Sequence, residues 1–590
     1  MSETRPDTTT RTCRARRLGR VTVSAALVAT AAAGVAFGQG GVATAQPDSA
    51  AHVNFTLVWT ASFPNDHHPF ALSSPDLAQL PGGPALVVGD RSGHVYAVYL
   101  KPGRNGGARR AWTVTANGPD GPIGVDSSPS SFDGVVYFGI GWAGQHGGGY
   151  EAINVNGSVR WFKDAVNPAS DPVRDAGVAA GLTIGSLQSQ DALVGPSLGQ
   201  NTYLFNASSG SKLKGFPWFQ ADTNFSTAAV ADVEGNGQNQ IIEGGNTTAG
   251  TVFDTTYIDG GQIRILGETG NRGHAARPNS GLYCEYTTDQ GVDSSPAVGD
   301  IFNGRPGIVV GTSTERAGKT MTDDVIAVNS ACRRVWQTSL DGATTSSPAL
   351  ADVLGNGRLQ VIEGTQNGYV YCLNSLTGDV HWRTRVPGIV IGGVVTTDLG
   401  NGYQDVIVPS TAGAFILDGK TGRIVQTLEH SVGLQNSPLV TDDPNGTIGI
   451  TVAGYTGSRA TQHAVIEHFE VVGSHGSGVT EAGAWPEFHH DAQLTGNANV
   501  PVADNLAITT KSLPNAKVGV PYKSGVRASG GASPYAWTMT SGAKPPGLTL
   551  SRGGAWSGTP TRRGTYRFTL RVNDGRSTKM TMTLSIAVAS

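Results

Sequence analysis

Charged residues, cysteine and methionine are scarce in this sequence. Only 15% of its 590 residues are charged, the formal net charge is -3, and there are 4 cysteines and 5 methionines. A chain with so small a charge excess offers no polycationic surface to phosphate groups, so we expect no nucleic-acid partner. With 38% hydrophobic residues it is nevertheless too apolar to be a disordered chain. The 82 glycines indicate many tight turns, as a protein built from short hairpins requires.

Long hydrophobic runs are also absent, except near the N-terminus. Residues 21–37 are small, apolar and uncharged, they follow five arginines between residues 11 and 20, and residues 43–45 (Ala-Thr-Ala) fit an A-x-A cleavage site. This pattern predicts a secretory signal peptide over residues 1–45, and a permanent membrane anchor is the alternative that fits the Ala-rich composition less well. We therefore predict a secreted, extracellular protein whose mature chain has no membrane span.

One sequence pattern recurs along the chain, and its clearest copy runs from Ser346 to Trp382. It consists of Ser-Ser-Pro, an apolar strand, an Asp/Asn/Gly turn, a second apolar strand, an alternating third strand and an outer strand that contains Trp382. Short strand signals separated by Gly-rich turns predict a small antiparallel sheet of four strands. The opening recurs, in full or weaker form, at Ser73, Ser127, Gly177, Ser226, Ser294, Ser346, Gly392 and Asn436.

These openings predict a ring of sheets, because one such sheet cannot bury its faces alone. The chain starts with an outer strand at residues 55–61 that no opening precedes, whereas the last opening lacks an outer strand. We expect residues 55–61 to complete the last sheet, which would leave no sheet edge open. The prediction is an all-β, eight-bladed β-propeller over residues 46–497, with seven blades as the alternative. An outer-strand tryptophan would cover the gap between neighbouring sheets at Trp112, Trp161, Trp218, Trp336 and Trp382.

The residues of this repeat resemble known propeller families. Residues 368–374, with Thr377-Gly378 and Trp382, resemble the repeat of PQQ-like β-propellers, and the turns at 231–237 and 351–357 resemble FG-GAP/VCBS blades. Residues 485–496, Trp-Pro-Glu-Phe-His-His-Asp followed by Leu-Thr-Gly, resemble a tag of secreted bacterial proteins in this group. The resemblance covers roughly residues 55–497 and implies the fold, but propellers host many activities.

A quinone cofactor is not implied by these residues. Quinoprotein dehydrogenases, which the repeat resembles, hold PQQ on the ring axis over calcium and usually carry a disulfide between adjacent cysteines. This sequence has no Cys-Cys pair and no matching set of calcium ligands and base. It also lacks a G-x-S-x-G elbow and an H-E-x-x-H helix, so no catalytic residue is assigned. We therefore expect no PQQ, and a quinone-dependent dehydrogenase is the alternative with least support.

Calcium is the one cofactor that the resemblance leaves open. FG-GAP blades of integrin-like proteins bind Ca²⁺ through a loop with oxygen ligands at alternate positions, and calcium takes roughly six to eight oxygens. The turn at 352–357 has Leu354 where a ligand is needed, and the turns at 398–402 and 300–304 match less well. The alternative is a structural turn in which Asp caps main-chain groups, and it is favoured at every site. The best calcium candidates are Asp232, Glu234, Asn236 and Gln240.

The mature chain keeps three cysteines, and an oxidising compartment would permit a disulfide between two of them. Cys284 lies just before one repeat and Cys332 lies within it, so we predict a Cys284–Cys332 disulfide. Cys372 stands where an equivalent strand has Ala97, which predicts a buried thiol. The odd number of cysteines leaves other pairings open.

Several other groups are candidate ligand or acid/base sites. Adjacent side chains in a sequence do not by themselves converge on one atom, so packing is the alternative at each. Glu243 and Glu363 end second strands at matching positions, which argues for a role within the blade. The excursion from Asn246 to Gln290 is a candidate binding loop, with simple insertion as the alternative. The remaining candidates are His489-His490-Asp491, Asp66-His67-His68, and Trp142, His146 and Tyr150 around an expected exposed hairpin at 141–149.

A second kind of module follows a linker at residues 498–505. Residues 506–590 contain short alternating strands between Gly- and Pro-rich turns, which predicts an Ig-like sandwich. The turns at 545–548 and 557–560, followed by Gly564-Thr565-Tyr566, resemble the He_PIG, cadherin-like modules of secreted bacterial proteins. That resemblance implies a spacer or an adhesive appendage.

Together these features predict a secreted, monomeric, non-catalytic binding or scaffold protein. It would present a propeller face to an extracellular protein or polysaccharide. The alternative is an extracellular carbohydrate-active lyase or hydrolase with its acids near the ring axis. A hydrolase would need two carboxyl groups about 5 to 9.5 Å apart beside the substrate.

Overall fold

The computed structural model shows an all-β protein in which strands and turns account for the described residues. Within them there is no helix that could span a membrane. The structure describes residues 53–63, 70–118, 121–142, 147–167, 177–220, 222–252, 255–269, 281–312, 322–429, 431–457, 462–473, 483–499, 507–508, 510, 512–526, 528–529, 535–573 and 579–590.

The strands before residue 473 form eight four-stranded antiparallel sheets, which we call blades 1 to 8. The first strand, β1 (Asn54–Phe63), belongs to blade 8. Blade 1 holds β2 (Asp76–Leu80), β3 (Gly83–Gly89), β4 (His94–Tyr99) and β5 (Arg109–Thr115), and the small pair β6 (Asn117–Gly118) and β7 (Gly121–Pro122) follows. Blade 2 holds β8 (Ser130–Phe132), β9 (Val135–Ile140), β10 (Gly149–Asn154) and β11 (Val159–Asp164). Blade 3 holds β12 (Thr183–Leu187), β13 (Gln190–Pro196), β14 (Asn201–Asn206) and β15 (Trp218–Phe219).

The next blades repeat the same order, and only blade 4 carries an inserted hairpin among the described residues. Blade 4 holds β16 (Ala229–Ala231), β17 (Gln240–Thr247), β20 (Gly260–Leu266) and β21 (Leu282–Thr288), with the hairpin β18 (Gly250–Val252) and β19 (Thr255–Tyr257) between them. Blade 5 holds β22 (Ala297–Gly299), β23 (Gly307–Gly311), β24 (Asp324–Asn329) and β25 (Arg334–Ser339). Blade 6 holds β26 (Ala349–Ala351), β27 (Gln360–Gly364), β28 (Tyr369–Asn374) and β29 (Val380–Arg385).

The last two blades complete the ring. Blade 7 holds β30 (Val395–Thr397), β31 (Asp405–Ser410), β32 (Gly413–Leu417) and β33 (Ile424–Glu429), and blade 8 holds β34 (Leu439–Asp442), β35 (Ile448–Thr456) and β36 (His463–Val472). The innermost strand of each blade contacts that of the next, and β34 of blade 8 contacts β2 of blade 1. Strand β1 pairs with β36, from Asn54 opposite Val472 to Phe63 opposite Ala464. The predicted pairing of the N-terminal strand with the last sheet is therefore confirmed.

Most junctions between neighbouring blades share one contact on the outer strand. The indole Nε1–H of Trp112 in blade 1 donates to the carbonyl of Val155 in blade 2 at 3.0 Å. A Cβ on Gly157 would lie 3.1 Å from the same indole ring, so the glycine allows close approach. Trp218 instead stacks against the guanidinium of Arg264. The predicted role of the outer-strand aromatic is confirmed by indole hydrogen bonds to the next blade at Trp59, Trp112, Trp161, Trp336 and Trp382.

The cysteines follow the sequence-based expectation. Cys284 on β21 and Cys332 in the turn before β25 form a disulfide, with their Cα atoms 5.7 Å apart. The bond joins blade 4 to blade 5. Cys372 on β28 is a buried free thiol, and burial raises its pKa.

The C-terminal module is a separate set of sheets with its own core. Its strands are β37 (Ala507–Ile508), β38 (Ala516–Lys517), β39 (Tyr522–Gly525), β40 (Ala528–Ser529), β41 (Ala536–Gly542), β42 (Leu548–Leu550), β43 (Ala555–Gly558), β44 (Gly564–Asn573) and β45 (Lys579–Ala589). Strands β38, β45, β44 and β41 form one sheet, and β39, β43 and β42 form another. Trp556 and Phe568 pack together in the apolar core between them, as in an Ig-like sandwich.

Candidate functional site

All eight inner strands begin on the same face of the ring. Hydrogen bonds between matching positions of adjacent blades show this alignment: the N–H of Ser74 donates to Ser128 Oγ, and the N–H of Ser437 donates to Ser74 Oγ, both at 3.0 Å. We call the face where inner strands begin the entry face, and it also carries the turns between second and third strands. The opposite face, the turn face, carries the Asp-containing turns such as 352–357.

The recurrent Ser-Ser pair is explained by these contacts. The first serine links its own blade to the next one. Ser73 Oγ accepts the N–H of Gly89 on β3 of the same blade and donates to the carbonyl of Ser127 in blade 2, both at 2.9 Å. The second serine accepts a main-chain N–H from the preceding blade, as Ser128 does from Ser74. Buried main-chain groups need such partners, so the motif serves architecture rather than catalysis.

Residues 483–496, which we call the axial segment, make one full circuit inside the ring. Their carbonyl oxygens accept main-chain N–H groups from the inner strands of successive blades, and the Glu487 carboxyl group bonds the main chain of Leu77 in blade 1. The main-chain partners of the segment lie about three residues after the second serine of each opening. The segment therefore lies closer to the turn face than the serines do. In ring order the carbonyl pairs are Gly483 with Asp352, Trp485 with Thr396, Pro486 with Val440, Ala492 with Ser131, Gln493 with Ile184, Thr495 with Val230 and Gly496 with Val298.

The His489-His490-Asp491 group belongs to this segment and is buried. His489 lies between the carbonyls of Leu494 and Pro296, at 2.6 and 3.0 Å, and burial lowers its pKa to about 4. His490 Nδ1 lies 3.2 Å from Asp491 Oδ2. Burial acts to raise the pKa of Asp491, but the hydrogen bonds from His490 and Thr495 hold it below the usual value. These side chains pack the axial segment, through which the chain leaves the propeller, against the ring.

Carboxyl groups do gather near the axis, but the protein encloses them. Asp76 and Glu487 are only 1% and 5% exposed, and burial raises the pKa of both well above the usual value. The nearby charge of Asp491 raises both further, and Ser131 donates a hydrogen bond to Asp76. Because the axial segment covers them, a polysaccharide chain cannot reach these acids. They do not supply the accessible carboxyl pair that a glycoside hydrolase requires.

The turn proposed for calcium directs its oxygens at its own main chain. The Asp232 carboxylate accepts the N–H groups of Asn236 and Gly237 at 3.1 and 2.7 Å. Gln240 Oε1 accepts the N–H of Val233 at 2.9 Å. Asn236 Oδ1 accepts the N–H of the residue that follows the turn, at 2.9 Å. Each of these three side chains therefore accepts a main-chain hydrogen bond within or beside the turn, as a structural Asp turn requires.

The turn at 352–357 provides the comparison, because it has Leu354 in place of Glu234. Asp352 accepts the N–H groups of Asn356 and Gly357 at 2.9 and 2.7 Å, and Gln360 Oε1 accepts that of Leu354 at 3.1 Å. A turn without the acidic ligand thus has the same hydrogen bonds. Over the described ranges no three His, Cys, Asp or Glu side chains group as metal ligands. The turn at Asp232 thus keeps the hydrogen bonds of a structural turn, and calcium binding by Asp232, Glu234, Asn236 and Gln240 stays a prediction.

The accessible part of the ring axis lies on the entry face, at the residue before each Ser-Ser position. Eight such residues surround the axis, one from each blade, and seven are half-buried whereas the serines deeper in the ring are mostly buried. We call this ring the mouth. Its residues are Leu72, Asp126, Ala179, Phe225, Asp293, Thr345, Ile391 and Gln435.

One side of the mouth combines aromatic rings with paired polar groups. Arg91 Nε donates to both carboxylate oxygens of Asp126 at 2.9 and 3.0 Å, and its guanidinium lies 5.5 Å from the centre of the Trp142 ring. Trp142 contacts Phe225, with ring centres 5.5 Å apart and planes inclined by 54°. Both rings are half-buried. We call Arg91, Asp126, Trp142 and Phe225 the mouth cluster.

A second polar pair lies further round the mouth. Asn246 Nδ2 donates to Asp293 Oδ1 at 2.9 Å, and Asn246 Oδ1 accepts the N–H of Val292 at 2.9 Å. Gln366 in turn donates to Thr345 Oγ1 at 3.0 Å. The side chains of Asp126, Asp293 and Thr345 are therefore held in place by partners before any ligand binds.

The sequence-based candidates meet different outcomes here. Trp142 lies at the mouth, but the expectation that Tyr150 lies on an exposed hairpin is wrong. Tyr150 is the second residue of the buried strand β10, is 0% exposed, and donates to the carbonyl of Gly195 at 3.0 Å. His146 and the Asp66-His67-His68 group lie outside the described residues.

The expectation that residues 246–290 form one long loop is also wrong. This stretch contains β20 and β21, the third and fourth strands of blade 4, and the hairpin β18–β19 is its described insertion. Glu243 and Glu363 are buried within their blades, and burial raises the pKa of both. They lie in blades 4 and 6 respectively, so they do not form a carboxylate pair.

Comparisons with known proteins bear on the fold. Residues 504–589 match the He_PIG family ("Putative Ig domain"), which confirms the Ig-like module. No curated protein sequence matches this chain. Among solved structures it is similar to the Vibrio cholerae biofilm matrix protein Bap1, at 11% identity and a TM-score of 0.50 over 74% of this chain and 92% of that chain.

Two further structures are similar over much the same part of the chain. BamB from Moraxella catarrhalis is 15% identical, with a TM-score of 0.43 over 72% of this chain and 99% of that chain. A quinohemoprotein alcohol dehydrogenase from Pseudomonas putida is 10% identical, with a TM-score of 0.46 over 72% of this chain and 77% of that chain. At such identities the likeness concerns the fold alone.

Proposed function

We propose that this is a secreted, non-catalytic binding protein that holds an extracellular polysaccharide or protein at the mouth of its entry face. The N-terminal signal pattern of residues 1–45 and the interblade disulfide both support an oxidising, extracellular location. The Ig-like module is consistent with an appendage that spaces or anchors the propeller.

The observation that carries this proposal is the mouth cluster. Trp142 and Phe225 leave part of their rings exposed beside the Arg91–Asp126 ion pair, on a rigid ring of blades. Exposed aromatic surface flanked by fixed polar groups is typical of a binding site, since the rings gain from burial and the polar groups set orientation. Here the polar groups already hold one another, which lowers the entropic cost of binding.

The catalytic alternatives have less support. A lyase or hydrolase would need acids beside the bound chain, and the acids gathered on the axis are enclosed by the axial segment. At the mouth, Asp126 is buried and both of its carboxylate oxygens accept from Arg91, so it is poorly placed to contact a bound sugar chain. Among the residues that the structure describes, no set favours a quinone-dependent dehydrogenase.

The proposal is tested by binding and turnover measured side by side. The secreted full-length chain and its Trp142→Ala variant are applied to an array of extracellular polysaccharides and proteins, while the release of reducing ends is measured on the same polysaccharides. We expect ligands that the wild type retains and the variant loses, and no release of reducing ends. Equal binding by both chains, or release of reducing ends by the wild type, would contradict the proposal.

A further inference from the structure

We infer that the ligand of the mouth is an uncharged polysaccharide rather than a polyanion or a basic peptide. This inference rests on the proposed function and specifies its ligand class. Three features of the mouth support it: the aromatic pair, the sign of the local charge and the way in which the polar groups are arranged.

The aromatic pair offers a surface for the apolar face of a sugar ring. Trp142 and Phe225 come from blades 2 and 4, and their ring centres lie 5.5 Å apart. Because the two rings are in contact and both are half-buried, they form one continuous apolar patch. The C–H face of a pyranose matches such a patch in size, and burying it gains apolar contact without breaking a hydrogen bond.

The charge at the mouth disfavours a polyanion. Among the described residues of the mouth and the mouth cluster, Arg91 is the cation, whereas Asp126 and Asp293 are acidic. Arg91 is already bonded to both oxygens of Asp126, so its charge is compensated. Among the described residues of the mouth, a uronic-acid polymer would therefore find no uncompensated cation, and repulsion from Asp293 would cost affinity.

The same pairs disfavour a basic peptide. A lysine or arginine would gain most from accessible carboxylates without a cation, but Asp126 is buried and already paired with Arg91. That leaves Asp293, which accepts from the neutral amide of Asn246, as the one other carboxylate among the described mouth residues, which is too little for a peptide of many positive charges. A sugar hydroxyl has no such requirement, since it can donate to a carboxylate and accept from the neighbouring guanidinium or amide. Paired acceptors and donors, each with remaining capacity, therefore match hydroxyl groups better than they match ions.

The depth of the mouth sets how the polymer would lie. Directly below the mouth the serine ring is buried, and deeper still the axial segment fills the axis. A ligand therefore cannot thread the ring. We expect the polysaccharide to cross the entry face, with one or two sugar units on the aromatic pair.

Titration of the full-length protein with defined polymers tests this inference. The probes are laminarin, dextran and mannan as neutral glycans, alginate as a polyanion and poly-lysine as a basic peptide. Calorimetry or affinity electrophoresis is run at about 50 mM and about 500 mM NaCl, because only charge-driven binding is lost across that range. We expect at least one neutral glycan to bind with little salt dependence.

Three variants locate the binding. Trp142→Ala and Phe225→Ala should each weaken neutral-glycan binding by about tenfold or more. The control is Tyr283→Ala, which removes an aromatic that is 52% exposed on an outer strand, away from the mouth. That variant should bind within about twofold of the wild type. Unchanged thermal melting of all three variants verifies that each has folded.

The outcomes separate this inference from the proposed function. Binding of alginate or poly-lysine alone, lost in Trp142→Ala and at high salt, overturns the neutral-glycan inference but leaves a mouth-binding protein. Binding of a neutral glycan that Trp142→Ala and Phe225→Ala leave unchanged also overturns the inference. If no probe and no member of the wider array depends on Trp142, the inference and the proposed function both fail.

Discussion

Cys284 and Cys332 join blades 4 and 5 at the place where other junctions dock a tryptophan against a glycine. Cys284 pairs with Ile265 on the neighbouring strand just before a β-bulge. Trp112 pairs with Ala97 just before the equivalent bulge of blade 1. The cysteine and the tryptophan thus occupy the same position of the outer strand.

Their partners correspond as well. Cys332 closes a turn in which its N–H donates to the carbonyl of Asn329 at 2.9 Å, and Gly157 closes the matching turn through Asn154 at 2.8 Å. Cys332 has a φ of +52°, and Gly157 has a φ of +85°. The disulfide is therefore a covalent substitute for a non-covalent contact that the fold uses elsewhere.

This correspondence predicts that a tryptophan–glycine contact can replace the disulfide. Replacing both cysteines by serine should lower the free energy of unfolding by about 2 to 5 kcal/mol, as the loss of a native disulfide typically does. The double variant Cys284→Trp, Cys332→Gly should recover part of that loss, because it recreates the tryptophan–glycine contact. Thermal melting of the wild type, Ser/Ser and Trp/Gly proteins measures the difference. A Trp/Gly protein no more stable than the Ser/Ser protein would refute the equivalence.

The axial segment should contribute strongly to stability. Trp485 is 2% exposed and its N–H and carbonyl both bond Thr396. Trp485→Ala should cost about 3 to 5 kcal/mol, because it opens a cavity at the axis. Phe488→Ala, at the half-buried position of the same segment, is the control and should cost less. The measurement is denaturant unfolding, and equal effects of the two variants would argue against an axial core.

Glu151 should make stability fall as the pH rises. Burial raises its pKa to about 7, above the value of about 4.3 expected in the unfolded chain. The folded state therefore binds the proton more tightly, so the stabilising contribution is complete below about pH 4 and is lost as the pH rises through 7.

The change Glu151→Gln tests this sign. The variant should lose less stability than the wild type between pH 5 and pH 8, with a difference of roughly 1 to 3 kcal/mol. Glu234→Gln, at an exposed position, serves as the control and should follow the wild type. Melting temperatures across that pH range measure the effect, and parallel profiles for wild type and Glu151→Gln would contradict it.

Calcium removal should leave the fold unchanged. The turns at Asp232 and Asp352 have the same main-chain hydrogen bonds although only the first carries the acidic residue Glu234. Treatment with EGTA, or the change Glu234→Leu, should leave the melting temperature within error of the untreated wild type. A rise on adding calcium that Glu234→Leu abolishes would instead establish the calcium site.

The blades could be predicted from the sequence because each blade carries its own local sequence patterns. Ser-Ser-Pro openings, Asp/Asn/Gly turns and outer tryptophans are local, and the missing outer strand of the last blade pointed to residues 55–61. The mouth cluster was not accessible in this way. Arg91 and Phe225 lie in different blades, and only closure of the ring brings both to Trp142.

Tyr150 shows a second limit of sequence patterns. Its neighbours at 147–149 are glycines, which look like a loop, yet the ring lies where a side chain on Gly195 would otherwise stand. A Cβ on Gly195 would come within 2.3 Å of that ring. The burial of Tyr150 thus depends on a glycine in another blade, which no local window contains.

The axial segment also constrains how this protein can evolve. Repeat proteins readily gain or lose units, since each unit contacts only its neighbours. In this ring every blade is also bonded to one particular residue of residues 483–496, in order. If a blade were duplicated or deleted, residues of the axial segment would no longer lie opposite their hydrogen-bond partners on the inner strands. The number of blades and the length of the axial segment must therefore change together. Chains that share the sequence of the axial segment should therefore also share the number of blades.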